Sequence, residues 1–133
     1  MTAVALLGIT VFIFLQLSPS LIFSTHLPDG GDMGAHVYLP YYMKHYLLGQ
    51  ARLTGWSPGW YSGFPIFTFY FPLPSLMIAL TSYIINYAIA FKLIVVLGLI
   101  MMPVSAWAMA KLAGWDPPIP VAMALGCDAY IGY

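Results

Sequence analysis

Asp29, Asp32 and His36 lie close together in the stretch Asp29-Gly30-Gly31-Asp32-Met33-Gly34-Ala35-His36. Two carboxylates spaced i, i+3 around a glycine pair can hold a divalent cation through oxygen ligands. Alternatively, one of them can act as general base on an acceptor hydroxyl. The glycines let the backbone turn sharply and let a phosphate or sugar approach the main chain. His36 can serve as a further ligand or as a proton carrier. Each residue also has a plainer reading. Asp and Gly are common in solvated turns, Asp32 is well placed to cap a helix that begins near Ala35, and His36 suits a membrane interface. His26, His36 and His45 are spaced ten and nine apart, which matches no familiar zinc pattern. The chain has four acidic residues, all of them aspartate, so paired-carboxylate chemistry must use Asp.

The elements that would position these groups are apolar. Of 133 residues, 62% are hydrophobic and 6% charged, whereas soluble domains carry about a quarter charged residues. Composition therefore points to an integral membrane protein whose main partner is the lipid bilayer. Net charge is zero and there is no basic run, so nucleic acid is excluded as a partner. The single cysteine, Cys127, permits no intrachain disulfide and reads as a small apolar helix residue. Nucleophile-elbow, phosphate-loop, dinucleotide and HExxH motifs are not present in the sequence.

The expected fold is all-α: polytopic transmembrane helices with a long interfacial loop. Spans are predicted at about 3–23, 73–91, 93–110 and 119–133, the last incomplete, with residues 24–72 as the loop. The apolar 3–23 stretch suits a span better than a cleaved signal peptide, since it is long and has no basic start. The final apolar segment has no polar flank, so the chain reads as the N-terminal part of a larger protein, and the remainder beyond residue 133 becomes a partner. Within the loop, 35–50 reads as a short amphipathic helix, most secure after Pro40 at a first turn. Its tyrosines 38, 41, 42 and 46 suit the membrane–water interface. Residues 53–74 interleave Trp56, Trp60, Tyr61 and Tyr70 with glycines and prolines. Irregular backbone of this kind cannot face lipid. These rings form either an aromatic belt or a wall against a sugar or lipid-linked substrate. Small residues around Ser105 and Ala108 allow close helix packing in the third span. Asp128, inside the last apolar segment, is a further candidate because ionisable groups at membrane depth are costly.

Lys44, Arg52 and Lys111 fall on one side of these spans and Lys92 on the other. By the positive-inside rule that places the loop in the cytoplasm.

Three pieces occur in order: Gly30-Gly31-Asp32-Met33-Gly34-Ala35-His36, then Trp56-Ser57-Pro58-Gly59-Trp60-Tyr61-Ser62-Gly63-Phe64-Pro65, then Tyr70-Phe71-Pro72-Leu73-Pro74. Together they resemble a prokaryotic family of polytopic membrane proteins whose domain is catalogued as 6-pyruvoyl-tetrahydropterin synthase-related. The metal-ligand spacing of the soluble pterin synthase is not found here. The layout instead is similar to the GT-C membrane glycosyltransferases. This resemblance implies a multi-pass plasma-membrane protein of the cell envelope, with the N-terminus inside and the loop outside, against the charge count. It also implies a polyprenyl-phosphate sugar as donor. Asp32 would be the catalytic aspartate, as base or metal ligand, with Asp29 the alternative and His36 accessory. From a different class, the chain also reads as a non-catalytic transport or lipid-handling protein, in which Asp128 and the helix around Pro103 would matter more than Asp32.

Overall fold

The computed structural model describes residues 2–60 and 62–131, with side chains for 4–60 and 62–127. Six α-helices follow in order: α1 Thr2–Gln16, α2 Pro19–Ile22, α3 Met33–Tyr42, α4 Pro72–Thr81, α5 Tyr87–Leu112 and α6 Ile119–Ile131. A two-stranded antiparallel hairpin, β1 Gly55–Ser57 and β2 Phe64–Ile66, lies between α3 and α4, with Trp56 opposite Pro65. The chain divides into two compact units, Ser24–Ile94 and Met1–Phe23 with Val95–Tyr133.

In the second of these units α1 packs on α6 through Ile9, Ile13 and Ala124, with Leu99, Ile100 and Trp107 against them. Hydroxyls inside the apolar helices are absorbed locally: Thr10 donates to the Leu6 carbonyl at 2.9 Å and Ser105 to that of Met101 at 2.7 Å. On the other side of α1, Val4, Leu7, Val11, Phe12 and Leu15 stay exposed.

The Ser24–Ile94 unit is built around α3. Helix continues from α3 through a wider π turn at Met43–Leu47 and a 3-10 turn at Leu48–Gln50. The expected helix at 35–50 is therefore present, but it starts earlier, and Pro40 lies inside it rather than at its first turn. Proline there cannot donate to the His36 carbonyl, and its ring crowds the preceding turn. The looser winding from Met43 follows it. Leu39, Tyr42, Met43 and Leu47 form the core with Ile66 and Phe67 of the hairpin and Ala79 of α4.

Two of the expected spans need correction. Residues 73–91 are not one helix. α4 ends at Thr81, where the Ser82 hydroxyl bonds back to the Ala79 carbonyl at 2.7 Å, and a turn intervenes. At ten residues, α4 rises about 15 Å, half of a ~30 Å hydrocarbon core. Helix resumes when Asn86 caps α5, its side-chain oxygen taking the Ala88 amide at 2.9 Å. α5 then runs unbroken through Lys92, which is no turn between spans. It ends in a Schellman motif, with Gly114 at φ 81° and bonds from Gly114 to Lys111 and from Trp115 to Ala110. The predicted 93–110 segment thus survives as the middle of α5. At the start of the chain, the 3–23 stretch breaks at Ser18, φ 51° ahead of Pro19.

The chain is mostly helical, as expected, with the short hairpin as the unanticipated addition. α5, at 26 residues, is a helix long and apolar enough to cross a membrane, whereas α1 and α4 are shorter apolar helices.

Candidate functional site

The Asp29–Asp32 turn precedes α3. Gly30 and Gly31 hold φ of 92° and 49°, a left-handed pair that glycine adopts without strain. Met33 donates to the Gly30 carbonyl at 3.1 Å, closing the turn. Asp29, Asp32 and His36 are all exposed. Asp32 occupies the N-cap position, and its main-chain carbonyl takes the amides of Ala35 at 3.0 Å and His36 at 3.3 Å. Its carboxylate makes no capping hydrogen bond. The side chain is therefore not consumed by the structural role that its position suggested.

The aromatic wall is assembled by the hairpin. Trp60 lies 5.6 Å from the Tyr38 ring and 6.4 Å from Phe64, and Phe64 lies 6.5 Å from Tyr70. The run continues along α3, from Tyr38 to Tyr42 at 5.7 Å and from Tyr42 to Tyr46 at 4.8 Å. Of the predicted wall residues, Trp60 and Tyr70 are thus joined through Phe64. Trp56 lies across Gly63, whose bare Cα leaves room for the indole: a Cβ there would meet it at 2.5 Å. Tyr61 lies outside the described residues. Asp128 sits on α6, with its side chain likewise outside them.

Two tyrosines one turn apart pin the hairpin to α3. The Tyr38 hydroxyl shares a 2.6 Å hydrogen bond with the buried Ser57 hydroxyl, and Tyr42 donates to the Trp56 carbonyl at 2.8 Å. Burial, and then the phenols of Tyr38 and Tyr46, raise the Tyr42 hydroxyl above its ordinary value. It stays protonated and able to donate.

His36 does not share a face of α3 with Tyr38, the residue on which the Trp60 ring packs. At 3.6 residues per turn, His36 is about 160° round the helix from Tyr38. Tyr38 also lines a cleft that sequence reasoning missed, whose lining includes none of Asp29, Asp32 and His36. Gly34, two residues after Asp32, lines a cavity of about 350 Å³ together with Leu27, Val37, Tyr38, Tyr41, Lys44, His45 and Tyr87. Gly34, Val37, Tyr38, Tyr41 and His45 recur at spacings of three and four, so one stripe of the helix builds one wall. The Tyr41 and His45 rings lie 4.3 Å apart at a 37° tilt, and Tyr87 meets Tyr41 edge-on at 6.1 Å. The Tyr87 hydroxyl donates to the Val37 carbonyl, fixing the start of α5 on α3. Lys44 donates to the Ser82 carbonyl at 2.8 Å and lies 4.8 Å from the Tyr83 ring centre.

Lys92 also belongs to this unit. Its ammonium donates to the Ser24 carbonyl at 2.6 Å, the Ser24 hydroxyl at 2.9 Å and the His26 carbonyl at 3.1 Å. Lys92 therefore lies with the start of the loop, not across a membrane from it. The loop unit carries Lys44, Arg52 and Lys92, while Lys111 stands at the far end of α5.

Among the described residues, no three His, Cys, Asp or Glu side chains come together as a cation cage. Asp29 and Asp32 are a donor set of the kind that holds a magnesium-like ion only with help from a substrate phosphate.

Comparison of the chain with protein-family models, with curated proteins and with solved structures found no match.

Proposed function

We propose that the chain is part of a polytopic plasma-membrane glycosyltransferase of GT-C-like layout, with the Asp29–Asp32 turn and the cleft that begins at Gly34 as its reacting centre. The observation that carries this reading is the state of Asp32: exposed, at the head of α3, and making no capping bond. The cleft whose lining begins two residues later, at Gly34, offers apolar walls from Leu27 and Val37 and a cation at Lys44, a combination suited to a lipid chain that ends in a phosphate.

In the proposed step, the Asp32 carboxylate accepts the proton of an acceptor hydroxyl as that oxygen attacks the anomeric carbon of the donor sugar. The bond from the anomeric carbon to the phosphate oxygen breaks, and polyprenyl phosphate leaves with the electron pair. Lys44 favours the charge that develops on the phosphate. Asp29 is the alternative base, and His36 an accessory group. A divalent ion shared between these carboxylates and the phosphate would add charge neutralisation. Trp60, packed on the cleft-lining Tyr38, and Tyr70 serve in this reading to hold the loop at the interface.

Multi-pass insertion is supported by the exposed apolar face of α1 and by the length of α5. The layout puts the loop outside the cell, whereas three cations to one across α5 favour the cytoplasm. Labelling of Thr54→Cys, an exposed loop position, by an impermeant maleimide in intact cells decides the orientation. Labelling only after permeabilisation overturns the external loop.

The function is tested by glycosyl transfer from a panel of polyprenyl-phosphate sugars, using membranes that contain the full-length protein. Asp32→Asn should lower transfer by about 10²–10⁴-fold, the usual weight of a general base, with insertion unchanged. Equal transfer by the variant refutes the role of Asp32. No transfer by either protein, despite correct insertion, favours the transport or lipid-handling reading.

A further inference from the structure

α4 is apolar on its outward face, unlike a helix in water. Its buried positions are Ser75, Ile78, Ala79 and, at its end, Ser82, with both serines 7% exposed. Its outward positions are Leu73, Met77, Leu80 and, in the following turn, Ile84, exposed by 63%, 36%, 52% and 86%. Within the helix, spacings of four and three keep Leu73, Met77 and Leu80 within about 60° of one another, and Ile84 follows in the turn. A single stripe along the helix is thus apolar and uncovered, while Ser75 and Ser82 sit with Ile78 and Ala79 on the protein side. Phe69 and Phe71, 77% and 86% exposed, extend the stripe just before the helix. A contiguous apolar surface of this kind marks a docking face.

We propose that this stripe is covered by lipid, and that α4 lies flat in the membrane interface instead of crossing the bilayer. The inference rests on the membrane part of the functional reading and not on the transferase chemistry. Three observations select lipid as the occupant. First, α4 is joined through the turn at 82–86 to α5, the helix with the length and composition of a span. Second, both ends of α4 are tied to groups that must stay near water. At its C-terminal end the Lys44 ammonium holds the Ser82 carbonyl, and at its N-terminal end stands the Gly/Pro-rich hairpin, whose irregular amides cannot enter hydrocarbon. A helix with both ends at the water level lies along the surface. Third, α5 sets the depth. Lys92 and Lys111 are nineteen residues apart on one helix, about 28 Å at 1.5 Å per residue. That separation matches the hydrocarbon thickness, with both ammonium groups at interfaces. Ile84, eight residues before Lys92, is then at the same interface as Lys92.

The test is site-directed spin labelling of the full chain, on a Cys127→Ser background, in vesicles of phosphatidylcholine and phosphatidylglycerol. Single cysteines replace Leu73, Met77, Leu80 and Ile84, with Val95→Cys on α5 and Ala51→Cys in the loop as references. Collision rates with oxygen and with a water-soluble nickel chelate are measured at each site. The expected result is oxygen exceeding the chelate several-fold at all four α4 sites, at depths within about 5 Å of one another. A transmembrane α4 would spread Leu73, Met77 and Leu80 over roughly 10 Å, at 1.5 Å rise per residue; that spread overturns the proposal. So does chelate access equal to that at Ala51→Cys, or protection from both reagents, which would reveal a protein cover such as a second copy. If Val95→Cys also collides mainly with the chelate, the membrane reading itself fails. If Val95→Cys is in lipid and the α4 sites are not, only the present inference does.

Discussion

The hydroxyls of Tyr38 and Ser57 share a hydrogen bond of 2.6 Å. Ser57 is fully buried, so its hydroxyl depends on this partner. Tyr38→Phe should destabilise the protein by about 1–3 kcal/mol, the cost of an orphaned buried polar group. Adding Ser57→Ala should recover much of the loss, because the orphan is then removed. Thermal unfolding in detergent of the two single variants and the double variant gives the coupling. Additive losses would mean that the bond contributes nothing.

Gly63 combines φ of 129° with an indole lying where its Cβ would be. Gly63→Ala should expel Trp56 from its place and cost about 1–3 kcal/mol in backbone strain. A red-shifted tryptophan emission together with a lower melting temperature is the expected pair of changes. An unchanged spectrum would show that Trp56 does not rest there.

Ala51 ends the helical stretch in the left-handed region, φ 53°, with Schellman bonds from Arg52 to Leu47 and from Ala51 to Leu48. Glycine is the residue suited to this position. Ala51→Gly should therefore stabilise by about 1 kcal/mol, the left-handed penalty of a residue with a Cβ. A lower melting temperature would contradict the cap.

Lys92 gives hydrogen bonds to three oxygens of Ser24 and His26. Lys92→Met keeps the apolar stem and removes the ammonium. A loss of about 2 kcal/mol is expected from charge-assisted bonds, with faster proteolysis around His26. Unaltered proteolysis would show that the lysine does not hold the loop.

The Tyr42 phenol is raised above its ordinary value of 10.0, so the folded protein holds this proton more tightly than the unfolded chain. The resulting stability is fully present below pH 10 and declines as pH rises through and beyond that value. Ionisation also ends the donation to the Trp56 carbonyl. Tyr42→Phe should be less stable near neutrality and should show a shallower decline in the alkaline range. Parallel stability curves for the two proteins above pH 10 would refute this linkage.

Legibility in the sequence followed the range of the interactions. The helical reading of 35–50 came from local pattern and survived, apart from Pro40, which lies inside the helix between the buried Leu39 and Met43. The 93–110 segment was legible because no charge interrupts it. The break after Thr81 was not, because apolar residues run through it and periodicity is blind to a turn; Asn86, a good cap, was the available signal. The hairpin was hidden because its three-residue strands show no alternation, and a distant tyrosine pair holds them. At the site, the exposed Asp turn was read from its glycines. The cleft was not, because its wall needs Leu27 and Tyr87, which only the fold brings to α3. The 3–4 spacing of Gly34, Val37, Tyr41 and His45 was a visible trace of it.

Lys92 joins the two ends of one segment: Ser24, where it begins, and α5, where it ends. The polypeptide between them leaves and returns at a common neck, closed by an ammonium group instead of a covalent bridge. Unlike a covalent crosslink, this closure opens on unfolding, so the loop entropy is lost only when the folded neck forms. It also makes residues 24–92 portable. Because both ends emerge at one point, the segment can be transplanted into a short connection between two other helices without prising them apart, and it takes its fastener with it.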